Sequence, residues 1–98
     1  MHRHIVMFNF KSDVAAADRE RVAERLRSLG KLPTVTSFLV AKNILDRNEK
    51  RPFEWLMMGD YADEKARDAY EKDPHHVQVI RQEWLPVVDN YVVLDVNF

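Results

Sequence analysis

The sequence predicts an α+β fold in which antiparallel strands form one sheet and helices cover one of its faces. Segments with apolar residues at every second position alternate with segments in which apolar residues recur every three or four positions. Their order along the 98 residues is β-α-β-β-α-β, which is the ferredoxin-like arrangement. The sequence contains no internal repeat, low-complexity tract or linker, so we expect residues 1–98 to form a single domain.

The first strand and the first helix have distinct periodicities. His2 to Phe10 alternates between two faces, as a half-buried strand does. Val22, Leu26 and Leu29 then recur at the spacing of an amphipathic helix, and Gly30 ends it. This part of the chain therefore predicts a strand followed by a helix that buries one side.

Three further strands are predicted. Alternation resumes at Val35 to Ile44 and again at Phe53 to Tyr61, and the polar stretch 46–52 connects the two segments. The chain closes with Tyr91 to Asn97, which is rich in β-branched residues.

The second helical region contains a break. Asp63 is placed to cap a helix that runs to about Lys72. Asp73 and Pro74 then restart the helix, because Asp accepts hydrogen bonds from free amides and Pro is tolerated at a first helical position. The apolar stripe of the restarted helix is Val77, Ile80, Trp84 and Val88.

Large apolar residues occur on both faces of the first three strands, although one layer of helices covers only one face. Exposing the other face would lose roughly 25 cal/mol for each Å² of apolar area. A second copy of the sheet is the simplest cover, so we expect a homodimer with a barrel-like interior. The interior positions expected to be buried are Val6, Phe8, Phe38 and Val40.

Two motifs resemble those of the stress-responsive dimeric α/β barrel (Dabb) family. The first is the strand from His4 to Lys11, and the second combines Tyr70, Pro74, His76 and Val77 before the last helix. The resemblance spans essentially the whole chain. It implies a ferredoxin-like subunit that pairs into a homodimeric barrel, with a cavity in each subunit.

The resemblance also implies roles for individual residues. The family includes stress-induced plant proteins and a polyketide cyclase that works without cofactors. By motif, His76 and Tyr70 would be catalytic, and His4 would line the ligand pocket. Trp55 stands where the cyclase has a pocket histidine, and with Phe8 it completes the expected ligand-binding set. The implied activity is that of a cyclase or lyase acting on an aromatic or polyketide-like ligand.

Helical geometry separates the two adjacent histidines. At about 100° per residue, His76 lies about 40° from Ile80, whereas His75 lies about 200° from Val77 and should face water. The positive end of the helix should lower the pKa of His76, and Tyr70 could polarise a carbonyl, which suits enolisation or aldol chemistry. A purely structural interpretation stays open, since His76 could cap a loop and Tyr70 could be a packed aromatic residue.

Composition excludes several classes of site. The chain has no Cys, its glycines are Gly30 and Gly59 alone, and its net charge is −1. Cysteine-ligated metals and phosphate-binding glycine loops are therefore excluded, and no net positive charge attracts nucleic acid. His2 and His4 share a strand face but lack a third ligand nearby. We expect no metal, no cofactor, no nucleic-acid partner and no membrane association.

Two alternatives to the enzyme remain at this stage. One is a non-enzymatic, stress-responsive dimer whose cavity is filled by Trp55, Phe8 and Phe38. The other is a dimeric-barrel monooxygenase. The absence of Cys is compatible with a cytoplasmic protein.

Overall fold

A computed structural model describes residues 1–45 and 52–98. The predicted polar connection at 46–52 lies outside the described residues except for Pro52. The strands and helices are β1 (His2–Phe10), α1 (Ala16–Arg27), β2 (Ser37–Lys42), β3 (Trp55–Tyr61), α2 (Glu64–Lys72), α3 (Pro74–Gln78) and β4 (Val88–Asn97).

The strands form one antiparallel sheet in the order β2-β3-β1-β4. This order, with the helices on one face, confirms the predicted ferredoxin-like fold. The first and last strands are neighbours, so His4 lies directly opposite Asp95 and also opposite Gly59 of β3. Residues from both ends of the sequence therefore meet in the middle of the sheet.

The hydrophobic core lies between the sheet and the helices. Val6, Phe8 and Val40 are buried there, each at most 4% exposed, under the helical stripe predicted for α1. Four aromatic rings lie at the centre of this core. The ring of Phe8 packs against those of Phe10, Trp55 and Trp84, whose centroids are 5.4, 6.3 and 5.5 Å away.

The opposite face of the sheet is apolar and uncovered in the monomer. One row crosses all the strands through Leu39, Met58, Ile5 and Leu94, which are adjacent in the register. Leu39 and Leu94 are 45% and 52% exposed. The prediction of two apolar faces is therefore confirmed.

The residues predicted to be interior lie on the helix-covered face. Val6, Phe8 and Val40 are buried within the monomer, and Phe38 is half-buried on the same side, so none of them belongs to the open face. The prediction that they are interior is therefore confirmed, but the helices of the monomer cover them and the open sheet face does not include them. The pattern showed which residues share a face but not which of the two faces the helices cover.

The predicted break between α2 and α3 has the expected caps. The Asp63 carboxylate accepts a hydrogen bond from the Ala66 amide at 2.8 Å, and α2 ends at Lys72. The Asp73 carboxylate accepts from the His75 amide at 2.9 Å, with Pro74 in the first position of α3. Two aspartates thus define where each helix begins.

The helix that begins at Pro74 changes geometry after Gln78. Residues Val79–Trp84 form a π-helical segment, in which the Leu85 amide donates to the Ile80 carbonyl five residues earlier, at 2.8 Å. Val79, the first residue of this segment, is fully buried, whereas Val77, which the sequence predicted in the apolar stripe, is 36% exposed. Val88, predicted in the same stripe, instead begins β4.

We expect the substitution Asp63→Ala to lower the free energy of unfolding by about 1 kcal/mol, because it removes the side-chain cap of α2. Urea denaturation followed by circular dichroism measures the change. Asp68→Ala on the same helix is the control, since Asp68 makes only a surface ion pair with Arg67. Equal effects of the two substitutions would contradict the importance of the cap.

Candidate functional site

A cavity of about 240 Å³ opens between the sheet and the α2–α3 break. Three of the residues that line it were singled out from the sequence as site residues, and they come from β1, α2 and α3. The complete lining is His4, Val6, Met57, Tyr70, Glu71, His76, Ile80, Trp84, Tyr91 and Val93.

His4 reaches the cavity from the middle of β1. Its Nδ1 lies 2.5 Å from Oδ1 of Asp95, the residue directly opposite on β4. A carboxylate only accepts hydrogen bonds, so Nδ1 carries the proton and donates it. In the neutral ring this leaves the Nε2 lone pair free to accept a proton.

Asp95, opposite His4 on β4, is a carboxylate that contacts three basic side chains. Partial burial alone would raise the pKa of Asp95, but the hydrogen bond from His4 and the charge of Arg67 outweigh burial and lower it. Arg67 donates to Oδ2 of Asp95 at 2.8 Å, and Nε2 of His2 lies 3.4 Å from the same oxygen. Asp95 therefore stays ionised and holds His4 in one orientation.

His76 enters from the first turn of α3. Its Nδ1 lies 3.0 Å from the backbone carbonyl oxygen of Glu71, which can only accept, so Nδ1 is again the protonated nitrogen. Burial lowers the pKa of His76 and outweighs the opposing effect of that hydrogen bond. The direction agrees with the expectation from the sequence, although burial is the cause that the structure identifies. His76 is thus neutral at pH 7 with a free Nε2.

Tyr70 packs against His76 at the end of α2. The two ring centroids are 4.5 Å apart, and the Tyr70 side chain is only 1% exposed. Burial raises the pKa of Tyr70 well above its ordinary value, with a further contribution from neighbouring Tyr61. Its phenol is therefore protonated at neutral pH and able to donate a hydrogen bond.

Two of the predicted ligand-binding residues lie elsewhere in the core. Phe8 and Trp55 stack with ring centroids 6.3 Å apart, and neither lines this cavity. Trp55 instead borders a separate groove of about 260 Å³ with Met7 and Leu56, whose side chains are on the open sheet face. The structure thus brings His4, Tyr70 and His76 together but places Phe8 and Trp55 apart from them.

The remaining histidines have structural partners. Nε2 of His75 lies 2.8 Å from the Ser28 hydroxyl oxygen, so His75 packs against the end of α1; the expectation that it faces water was wrong. The angular count assumed a solvated helix face and could not include this neighbour. Nδ1 of His2 is 2.8 Å from Oδ1 of Asn97, and His2 is buried.

Sequence reasoning missed Asp95 and Glu71 at the site. In the predicted fold β1 and β4 are neighbours, so an acidic residue on β4 was a candidate partner for His4, but the pairing register cannot be read from the pattern. Glu71 follows Tyr70 directly, and nothing in the spacing distinguishes it from other exposed helical acids.

Neither a metal-binding cluster nor a membrane-spanning helix is found in the parts of the chain that the structure describes. Within residues 1–45 and 52–98, no group of three or more His, Asp or Glu side chains is arranged to hold a metal ion. In the same ranges, no helix has the length and apolar character required to cross a bilayer.

Comparison with known families and structures gives consistent results. The family model described as "Stress responsive A/B Barrel Domain" (Dabb) matches residues 3–98. A Dabb family protein with a ferredoxin-like fold from Mesorhizobium loti is 25% identical, with a TM-score of 0.84, and the match covers 98% of this chain and 94% of that chain. No curated protein matches the sequence.

Two other solved structures share the fold at lower identity. A dimeric ferredoxin-like protein of unknown function from Thermobifida fusca is 18% identical, with a TM-score of 0.86, over 99% of this chain and 90% of that chain. A hydroxynitrile lyase from Passiflora edulis is 17% identical, with a TM-score of 0.86, over 97% of this chain and 90% of that chain.

We expect the free energy of unfolding to fall as the pH is lowered through about 6.5, and to fall less in His76→Asn. The folded-state pKa of His76 is lowered, so below about pH 6.5 the unfolded chain binds a proton that the folded chain does not. The stability that depends on neutral His76 is thus complete above that pH and is lost below it. Urea denaturation of both proteins between about pH 5 and 8 measures this; parallel curves would contradict it.

Proposed function

Because the chain belongs to the stress responsive A/B barrel domain (Dabb) family, we propose that it is a small-molecule enzyme of the cofactor-independent cyclase or lyase type. Its ligand would be an aromatic or polyketide-like carbonyl compound. One observation carries the proposal: two histidines, His4 and His76, each have Nδ1 bound to an oxygen acceptor and share a cavity with the protonated phenol of Tyr70.

The first step would be proton abstraction next to a carbonyl group. Nε2 of His76 takes the proton from carbon, the electron pair of that C–H bond becomes the enolate, and the Tyr70 hydroxyl donates a hydrogen bond to the enolate oxygen. A neutral imidazole and a neutral phenol are the forms that this step requires, and burial favours both.

His4 would act as a second general base. Its orientation by ionised Asp95 resembles the orientation of a catalytic histidine by a carboxylate, which also stabilises the imidazolium when it forms. In a cyclase, the enolate carbon attacks a second carbonyl, and the His76 imidazolium returns its proton from Nε2 to the new alkoxide. In a lyase, Nε2 of His4 takes the proton from a hydroxyl and the O–H electron pair becomes the carbonyl π bond. The electron pair of the broken carbon–carbon bond stays with the leaving carbon, which then takes the proton back from the His4 imidazolium.

The size of the cavity limits the ligand. Its volume of about 240 Å³ is below the roughly 300–1,000 Å³ of most drug-binding pockets, so a compound with one ring is favoured. In the non-enzymatic alternative, Phe8 and Trp55 would fill the cavity. Their rings instead pack against each other outside its lining, and a volume of about 240 Å³ stays open, which argues against that alternative. The hydroxynitrile lyase of the same fold supports a lyase activity in general terms.

We propose in addition that the chain forms a homodimer through its open sheet face. The apolar row of Leu39, Met58, Ile5 and Leu94 would otherwise be in contact with water. The dimeric relative from Thermobifida fusca supports this arrangement.

The enzymatic proposal is tested with acetophenone, a small aromatic ketone whose methyl protons exchange through an enolate. We expect the protein to accelerate deuterium incorporation from D2O, measured by NMR, and His76→Asn to reduce the rate by about 100-fold or more, since general bases typically contribute that much. Tyr70→Phe should reduce it as well.

His75→Asn is the matched control for that experiment, because His75 is adjacent in sequence but does not line the cavity. It should leave the exchange rate within about twofold of that of the original protein. An exchange rate no faster than that in buffer, or one that His76→Asn leaves unchanged, would contradict the proposed chemistry.

Sedimentation velocity at micromolar concentration tests the dimer. We expect a dimer for the original chain and a monomer, or a dimer weakened by about tenfold or more, for Leu94→Lys, because the lysine would place a charge in the apolar face. Val77→Lys on the helical side is the control and should remain dimeric. A monomeric original chain would contradict the proposal.

A further inference from the structure

Glu71 gives the cavity a negative charge at one side. Of the described residues that line the cavity, Glu71 is the one with a carboxylate side chain, and the lining includes neither lysine nor arginine. His4 and His76 are the other titratable bases there, and His76 is neutral. A ligand in this cavity would therefore meet a carboxylate without meeting a permanently cationic side chain of the lining.

The nearest cation does not neutralise Glu71 fully. Arg67 lies 3.3 Å from Oε1 of Glu71, but the same guanidinium is 2.8 Å from Asp95 and 3.3 Å from Asp68. One positive charge is thus shared among three carboxylates, and Asp95 makes the shortest contact. The Glu71 side chain is also 41% exposed and lines the cavity, so its carboxylate is accessible from the solvent side.

Aromatic rings form much of the remaining wall. Tyr70, Trp84 and Tyr91 line the cavity, and the rings of Trp84 and Tyr91 meet at 60° with centroids 5.0 Å apart. Aromatic faces attract cations, and a carboxylate beside them strengthens the attraction. Carboxylates bind poorly in such surroundings, because like charges repel and no positive group compensates for their lost hydration.

We propose that Glu71 is a specificity-determining residue that makes the cavity select ligands with a protonated amine and reject carboxylates. The inference rests on the proposed function in that it assumes this cavity is the ligand site. It narrows the substrate class to an aromatic or cyclic carbonyl compound that carries a basic nitrogen. The amine would lie beside Glu71, and the carbonyl would lie between Tyr70 and His76.

The test uses three probes of similar shape: 2-phenylethylamine, 2-phenylethanol and phenylacetate. At pH 7 they carry a positive charge, no charge and a negative charge. Dissociation constants come from NMR titration of backbone amides that border the cavity. We expect the amine to bind at least about fivefold more tightly than the alcohol, and phenylacetate to bind most weakly.

Glu71→Gln should abolish this preference, because it removes the charge and keeps the shape. Asp68→Asn is the matched control: it also removes one carboxylate partner of Arg67 from α2, but Asp68 does not line the cavity. The control should keep the order of affinities. A Glu71→Gln protein that retains the preference would overturn the role of Glu71.

The outcomes separate this inference from the proposed function. If 2-phenylethanol binds in the cavity and the amine binds no more tightly, charge selection is wrong while the ligand site stands. If phenylacetate binds best, charge selection is also wrong. If none of the probes perturbs the cavity amides, both the inference and the proposed ligand site are wrong.

Discussion

The pairing of β1 with β4 is the constraint on which the rest of the site depends. It brings the first and last residues of the sequence into contact, and the Met1 amino group donates a hydrogen bond to the Phe98 carbonyl oxygen at 2.8 Å. It also places Asp95 opposite His4 and within reach of Arg67 on α2. The Asp95 carboxylate therefore orients His4 and, through its ion pair with Arg67, links α2 to the sheet. Both effects require the register of two strands that are almost a chain length apart.

The break between α2 and α3 contributes the other half of the site. A continuous helix would carry Tyr70 and His76 on a straight axis, whereas the cap at Asp73 and the restart at Pro74 allow the rings to pack at 4.5 Å. The break also leaves the Glu71 carbonyl without a helical partner, and His76 satisfies it. A backbone group freed by the break thus determines which nitrogen of His76 is protonated.

Local sequence signals were sufficient for much of the fold but not for the full site. The caps at Asp63 and Asp73, the helix break and the alternation of the strands depend on neighbouring residues, and the structure has them close to where they were predicted. The start of β4 is the exception, because it lies at Val88 and not at Tyr91. Alternation showed that Val6 and Phe8 share a buried face but could not identify which face the helices cover. Asp95 depends on a long-range register, and His75 on contact with α1. Neither can be derived from spacing alone.

The π-helical segment at Val79–Trp84 takes up one residue more than regular α-helical turns would. The Leu85 amide donates to Ile80, five residues earlier, and not to Arg81. Loss of one residue within this segment would restore the regular spacing and leave Val88, at the start of β4, in register with β1. Loss of a residue from the regular turn at Pro74–Gln78 would instead rotate the side chains that follow by about 100°. The segment can therefore lose a residue over evolution more readily than the regular turn before it.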